Sequence, residues 1–113
     1  MESPALAKIR ADATSNAIYE RLLAELTLIG PHEVEPKKTS LHVTRRHAFL
    51  GIQPRKGGLL INLVSREALI SDRVRKAERL SSRRFHNEVL LTAPDEVDKQ
   101  LMGWLVGAYA IAF

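Results

Sequence analysis

Three groups of residues have the side chains and spacing to do chemistry. His86 and Glu88 stand two apart in a stretch that alternates like a strand, which puts them on one face. An imidazole beside a carboxylate makes a salt link or a general base oriented by an acid. A satisfied structural histidine is the simpler reading, so His86 is kept as the candidate functional histidine and no catalytic residue is assigned. His42 and His47 are five apart and His32 is remote in sequence, spacings that match no usual metal motif. No metal site and no cofactor is expected. Glu33, Glu35 and Lys37 have the Glu-x-Lys form of the metal-dependent nucleases, but that chemistry needs another acid on an adjacent strand. Asp12, Glu20 and Glu25 fall in or near a helix and Pro36 interrupts the motif, so the nuclease reading is not favoured. Gly57-Gly58 is followed by no Lys-Ser or Lys-Thr helix start and reads as a hairpin turn rather than a phosphate loop.

The third group is electrostatic. From Lys37 to His86 there are thirteen Lys and Arg against three Asp and Glu, while the flanks hold four against ten. The net charge of +4 hides this segregation. A positive middle between acidic ends is the footprint expected for an anionic partner, with DNA or RNA backbone foremost. Lys37, Lys38, Arg45, Arg46, Arg55 and Lys56 are the candidate phosphate contacts, and Arg83 and Arg84 extend them. Arg45-Arg46 and Arg55-Lys56 fall at strand ends and turns and are expected to converge at one edge of a sheet. The competing reading is a solvated face guarding sheet edges. Phe49 and Phe85 are the only aromatics of the middle and read as core, so a base-stacking platform is not indicated.

The elements that must position these residues belong to one domain. A chain of 113 residues buries about two-thirds of its unfolded surface and folds without staples. The absence of cysteine excludes disulfides and thiolate chemistry. The N-terminus has no basic region followed by an apolar run, and the uncharged stretch Leu101 to Phe113 is shorter than the roughly 20 residues of a membrane helix. A soluble, cytoplasmic protein with no membrane association is expected.

Residues 1–13 read as a flexible N-terminus and 14–113 as a single domain. Ile18, Leu22, Leu26 and Ile29 repeat at helical spacing and predict a helix over Thr14 to Ile29, stopped by Gly30-Pro31. Strands are predicted over Ser40 to Arg45, His47 to Gln53, Leu59 to Val64 and Phe85 to Leu91, with a turn at Pro54 to Gly58. In the second of them, Ala48, Leu50 and Ile52 share one face and Phe49 and Gln53 the other. Ser65 to Leu80 gives no clear period: Ser65 to Leu69 is compatible with a helical turn, and Arg73 to Leu80 with either helix or strand. Thr92-Ala93-Pro94-Asp95 introduces a last helix, with Thr92 as its cap and Val97, Leu101, Trp104 (or Leu105), Ala108 and Ala112 as its core stripe. The predicted fold is α+β: an antiparallel sheet of three to five strands flanked by an N-terminal and a C-terminal helix. The last helix is apolar on more than one side, so Trp104, Tyr109 and Phe113 are candidate interface residues and a homodimer is the leading assembly.

Several strings resemble one bacterial family, the domain of unknown function numbered 5655. They are Glu35-Pro36-Lys37-Lys38-Thr39-Ser40, His47-Ala48-Phe49, Gln53-Pro54-Arg55-Lys56-Gly57-Gly58-Leu59, Arg84-Phe85-His86-Asn87-Glu88-Val89 and Ala93-Pro94-Asp95-Glu96-Val97-Asp98. Leu101, Trp104-Leu105 and Ala108-Tyr109 complete the pattern. The resemblance runs from about Ala17 onward and implies the fold more than an activity. Members are sometimes labelled predicted transport proteins, and some are joined to restriction-type domains, which leans toward work on DNA. Arg73 to Ser82 is longer and more basic than the family pattern. Taken together, the chain reads as a non-enzymatic binding module for an anionic partner, with a protein-interaction or homodimerisation module as the alternative.

Overall fold

The computed structural model describes residues 3–112, which form three α-helices, one 3-10 turn and six strands. The first helix, α1 (Pro4–Ala11), falls within the stretch expected as a flexible N-terminus, of which residues 1 and 2 lie outside the described residues. Ser3 caps it by accepting the Leu6 amide at 3.1 Å, and Pro4 sits in the first turn, where its missing N–H costs nothing. Ala5 and Ile9 are buried in the core. Two buried positions in so short a helix leave too little periodicity to read.

Helix α2 (Ala13–Ile29) matches the predicted first helix and buries Ile18, Tyr19, Leu22 and Leu26. The strands are β1 (Glu33–Pro36), β2 (Leu41–Thr44), β3 (Ala48–Arg55), β4 (Gly58–Ser65), β5 (Val74–Ser81) and β6 (Arg84–Leu91). All pairings are antiparallel, in the order β1-β2-β3-β4-β6-β5. Six strands replace the expected three to five, and the two additions, β1 and β5, are the sheet edges. Strand β1 is four residues long and mostly exposed, and it carries a proline, which an edge tolerates. Strand β5 is exposed along nearly its whole length, so its sequence shows no half-buried alternation. Its Arg75, Lys76, Glu78 and Arg79 suit an edge that must not pair further.

The register sorts the strand residues between two faces. Leu41 lies opposite Ile52 and Val43 opposite Leu50, and the row continues through Ile61, Leu63, Val89, Leu59 and Leu91. These side chains form one core with α1, α2 and the last helix. The alternate positions His42, Gly51, Gln53, Leu60, Asn62, Val64, His86 and Glu88 fall on the opposite, helix-free face. Phe49 departs from the predicted alternation. A bulge between Val43 and Thr44 pairs Thr44 with Ala48, and the extra residue, Phe49, is fully buried against Tyr109 in an edge-to-face contact at 5.5 Å.

The β3–β4 hairpin turns on Gly57, whose φ of 68° lies in the left-handed region that glycine enters at no steric cost. It is tied to the start of α2. Asp12 accepts the Ser15 amide at 3.0 Å and the Gly57 amide at 2.9 Å, and these bonds hold its carboxyl below the usual carboxylate range. The buried Ser15 hydroxyl lies 2.9 and 2.8 Å from the Arg55 and Gly58 carbonyls and accepts the Gly58 amide.

The chain closes through a 3-10 turn (Pro94–Glu96) into α3 (Lys99–Ala110). Asp98, not Thr92, caps this helix by accepting the Leu101 amide at 3.0 Å, because the 3-10 turn separates Thr92 from the helix start. Val97, Leu101, Leu105, Ala108 and Ala112 are buried, which makes Leu105 rather than the half-buried Trp104 the stripe residue at that turn. No described helix is long and apolar enough to cross a membrane.

Candidate anion-binding end and open-face cavity

Antiparallel order decides which basic residues can act together. Strand β3 carries the chain from the β2–β3 turn, with Arg45 and Arg46, to the β3–β4 turn, with Arg55 and Lys56. Eight extended residues hold these pairs about 25 Å apart. The expectation that they converge at one sheet edge is therefore corrected: they occupy opposite ends of the sheet. Lys37 and Lys38, in the β1–β2 turn, share the end of Arg55 and Lys56. Arg83 and Arg84, at the β5–β6 turn, share the end of Arg45 and Arg46.

The two ends differ in charge. The hairpin end also holds Asp12, Asp95, Glu96 and Asp98, so its cations have acidic company. Lys37 pairs with Glu35 at 3.4 Å. Arg73 reaches Asp98 at 2.8 Å and the Glu96 carbonyl at 2.6 Å, with its guanidinium 5.8 Å from the Trp104 ring centre. This ion pair, after the Leu101 amide, lowers the Asp98 pKa. Arg73 thus fastens the β5 entry to α3 and is structural.

The opposite end, here the arginine end, gathers Arg45, Arg46, Arg66, Arg83 and Arg84 near Glu33 and Glu67. The Arg84 Nη2 donates to the Ala48 carbonyl at 3.4 Å, spanning β4 and linking the starts of β3 and β6. Arg45 lies 4.4 Å from the centre of the Tyr109 ring, a cation–π contact that orients the β2–β3 turn. The amides of Arg46 and His47 donate to the Ala112 carbonyl at 3.2 and 3.0 Å, which docks the same turn on the end of α3.

The helix-free face of the sheet holds a cavity of about 250 Å³. Its polar lining is Ser40, His42, Gln53, Asn62, His86 and Glu88, and Leu60 and Val64 contribute apolar surface. Leu60 and Val64 are only 7% and 4% exposed although no helix covers this face. The side chains of His42, Asn62, His86 and Glu88 make no hydrogen bond to another described residue. Gln53 is oriented, its Oε1 accepting from Arg55 Nη2 at 3.1 Å. Burial lowers the His86 pKa, and Arg84 lowers it further, while Glu78 raises it and His42 lowers it. His86 is therefore neutral at physiological pH and offers one donor and one acceptor.

His86, the candidate functional histidine, stands in this cavity with Glu88. His42, read from sequence as a plain surface residue, joins them. Gln53 and Asn62 carry no sequence signal, because an isolated amide on a strand is unremarkable until register places it opposite other polar groups. Among the described residues no three His, Asp or Glu side chains are grouped to hold a metal ion. Glu33 and Glu35 lie on β1, with Lys37 just beyond its end.

Of the candidate interface residues, Tyr109 is a core residue. It is 8% exposed, packs on Phe49 and donates its hydroxyl to the Pro31 carbonyl at 2.9 Å. Trp104 is half-buried under Arg73, and Phe113 lies outside the described residues. Val106, 52% exposed, is the large apolar side chain that α3 leaves in solvent.

Comparison with known proteins gives one match. The family model described as Domain of unknown function (DUF5655) matches residues 6–112. No curated protein and no solved structure matches the chain.

Proposed function

From the premise that the chain belongs to the DUF5655 family, a domain of unknown function, we propose that it is a non-enzymatic module that binds an anionic partner, nucleic-acid backbone, through the arginine end of its sheet. The observation that carries this reading is the gathering of Arg46, Arg83 and Arg84 beside Arg45 at one end, where they outnumber Glu33 and Glu67, while Asp12, Asp95, Glu96 and Asp98 lie at the other. Arginine suits the task because its planar fork bonds two phosphate oxygens at once and stays charged at any physiological pH. The turns that carry these residues are held in place: one by the Ala112 carbonyl, the other by the Arg84 contact with Ala48. Lys37, Lys38, Arg55 and Lys56 face away from this end and have no part in it.

The mixed charge of the helix-free face also bears on the mode of binding. Glu35, Glu78 and Glu88 occupy positions on that face, so a polyanion laid across the sheet would meet carboxylates. Contact confined to the end of the sheet avoids them. Self-association through α3 is the alternative. Val106 favours it, but the burial of Tyr109 weakens it.

The test is binding of a fluorescent single-stranded oligonucleotide at low salt. Affinity that falls with rising salt, and is lost on reversing Arg46, Arg83 and Arg84 to Glu, supports the proposal. Absence of binding at low salt overturns it.

A further inference from the structure

We propose that the cavity on the helix-free face is a binding site for one nucleotide unit, its base within the cavity and its phosphate at Arg84, a proposal that rests on the reading of the arginine end as an anion site. The cavity, about 250 Å³, lies just below the roughly 300–1,000 Å³ typical of sites for larger ligands, and so suits a single ring system. Its chemistry is that of a surface meant to be read by hydrogen bonds. His42, Asn62, His86 and Glu88 point four polar side chains at one space without bonding to other described residues. Asn62 supplies a donor and an acceptor, as does the His86 imidazole, while Glu88 only accepts. A nucleobase edge presents adjacent donors and acceptors that such a set can satisfy. Leu60 and Val64, though nearly buried, line the same cavity with apolar atoms.

The carboxylate of Glu88 keeps a phosphate out of the cavity itself, so an anionic group must lie beside it. Arg84 precedes His86 by two residues on β6, a rise of roughly 7 Å along the strand. Its contact with Ala48, a residue of the cavity wall, places the guanidinium at the rim. The ligand is therefore a hydrogen-bonding ring with an anion one sugar's length away. A run of stacked bases does not fit a cavity of about 250 Å³ whose wall holds no Trp or Tyr and whose Phe49 is fully buried. One unit is bound, either as a free nucleotide or as the end of a strand.

The experiment is an NMR titration of the full chain that follows the imidazoles of His42 and His86, the Asn62 amide and the Arg84 side chain. Probes are inorganic phosphate, the four ribonucleoside monophosphates and a 5′-phosphorylated tetranucleotide. The proposal expects phosphate to move Arg84 alone and at least one monophosphate to move the cavity groups as well. Glu88→Gln and Asn62→Leu should each weaken that monophosphate about tenfold while leaving phosphate binding and the folded spectrum intact. Tighter binding of the tetranucleotide assigns the site to a strand end, and equal or weaker binding assigns it to a free nucleotide. If phosphate binds but no nucleotide moves the cavity groups, this inference is overturned and the anion reading survives. If neither phosphate nor any nucleotide moves Arg84, the phosphate placement is overturned together with the anion reading.

Discussion

Arg84 reaches across β4 to the carbonyl of Ala48, 3.4 Å away, and so joins the start of the sixth strand to the start of the third. That relationship makes two sequence-distant basic pairs, Arg45-Arg46 and Arg83-Arg84, into neighbours. It also marks the boundary between the charged end of the sheet and the open-face cavity, since Ala48 belongs to the cavity wall.

Charge reversal should separate the two ends. Arg46→Glu combined with Arg83→Glu is expected to reduce oligonucleotide affinity at least tenfold, because each lost phosphate contact removes a released counterion. Lys38→Glu combined with Lys56→Glu should change it far less. Fluorescence anisotropy at fixed low salt reads both.

The buried hydroxyl of Ser15 ties α2 to the β3–β4 hairpin. Ser15→Ala leaves those backbone groups without a partner and should cost about 1–3 kcal/mol. Urea denaturation measures the loss, and oligonucleotide affinity should be unchanged, since the hairpin lies at the far end of the sheet.

Asn87 is fully buried on the core side of β6. Its Nδ2 donates to the Leu63 carbonyl at 3.1 Å and the Ser65 hydroxyl at 2.8 Å, and its Oδ1 accepts the Leu69 amide at 3.1 Å. Asn87→Leu should free residues 66–72 from the sheet while costing about 1–3 kcal/mol. Faster amide hydrogen exchange at Leu69 is the readout.

His86 gives stability a pH dependence whose sign is fixed by its lowered pKa. Above the ordinary value of 6.5 the imidazole is neutral in folded and unfolded chains alike, and its contribution is fully present. As pH falls below that value the unfolded chain binds the proton first, so stability declines until the folded pKa has been passed. Burial and Arg84 drive the effect, with His42 adding to it and Glu78 opposing it. His86→Gln should flatten the decline in denaturation midpoint on the acid side of 6.5. An unchanged profile would remove this account of His86.

The legible parts of the fold were those with a strong period. Ile18, Leu22 and Leu26 announce α2, and the alternation of Leu41 with Val43 and of Val89 with Leu91 announces β2 and β6. Strands β1 and β5 were hidden because edge strands bury little and carry charge for their own protection. The cavity was half legible: His86 and Glu88 share a strand face, and two residues suffice to see that. Its partners His42, Gln53 and Asn62 come from three other strands, and only the register Asn62–Glu88 and His42–Gly51–Asn62 brings them together. The basic set misled for the same reason. Turn residues look alike in sequence, yet successive turns of an antiparallel meander alternate between opposite ends of the sheet.

The most direct test of the central claim is the salt dependence of single-strand binding. An arginine end that neutralises about three phosphates should give a slope of log affinity against log salt near −2, at about −0.7 per contact. The triple variant Arg46→Glu, Arg83→Glu, Arg84→Glu should abolish binding, while the variant reversed at Lys37, Lys38 and Lys56 should keep the slope. A slope indistinguishable from zero, or equal loss in both variants, would contradict an anion site at this end.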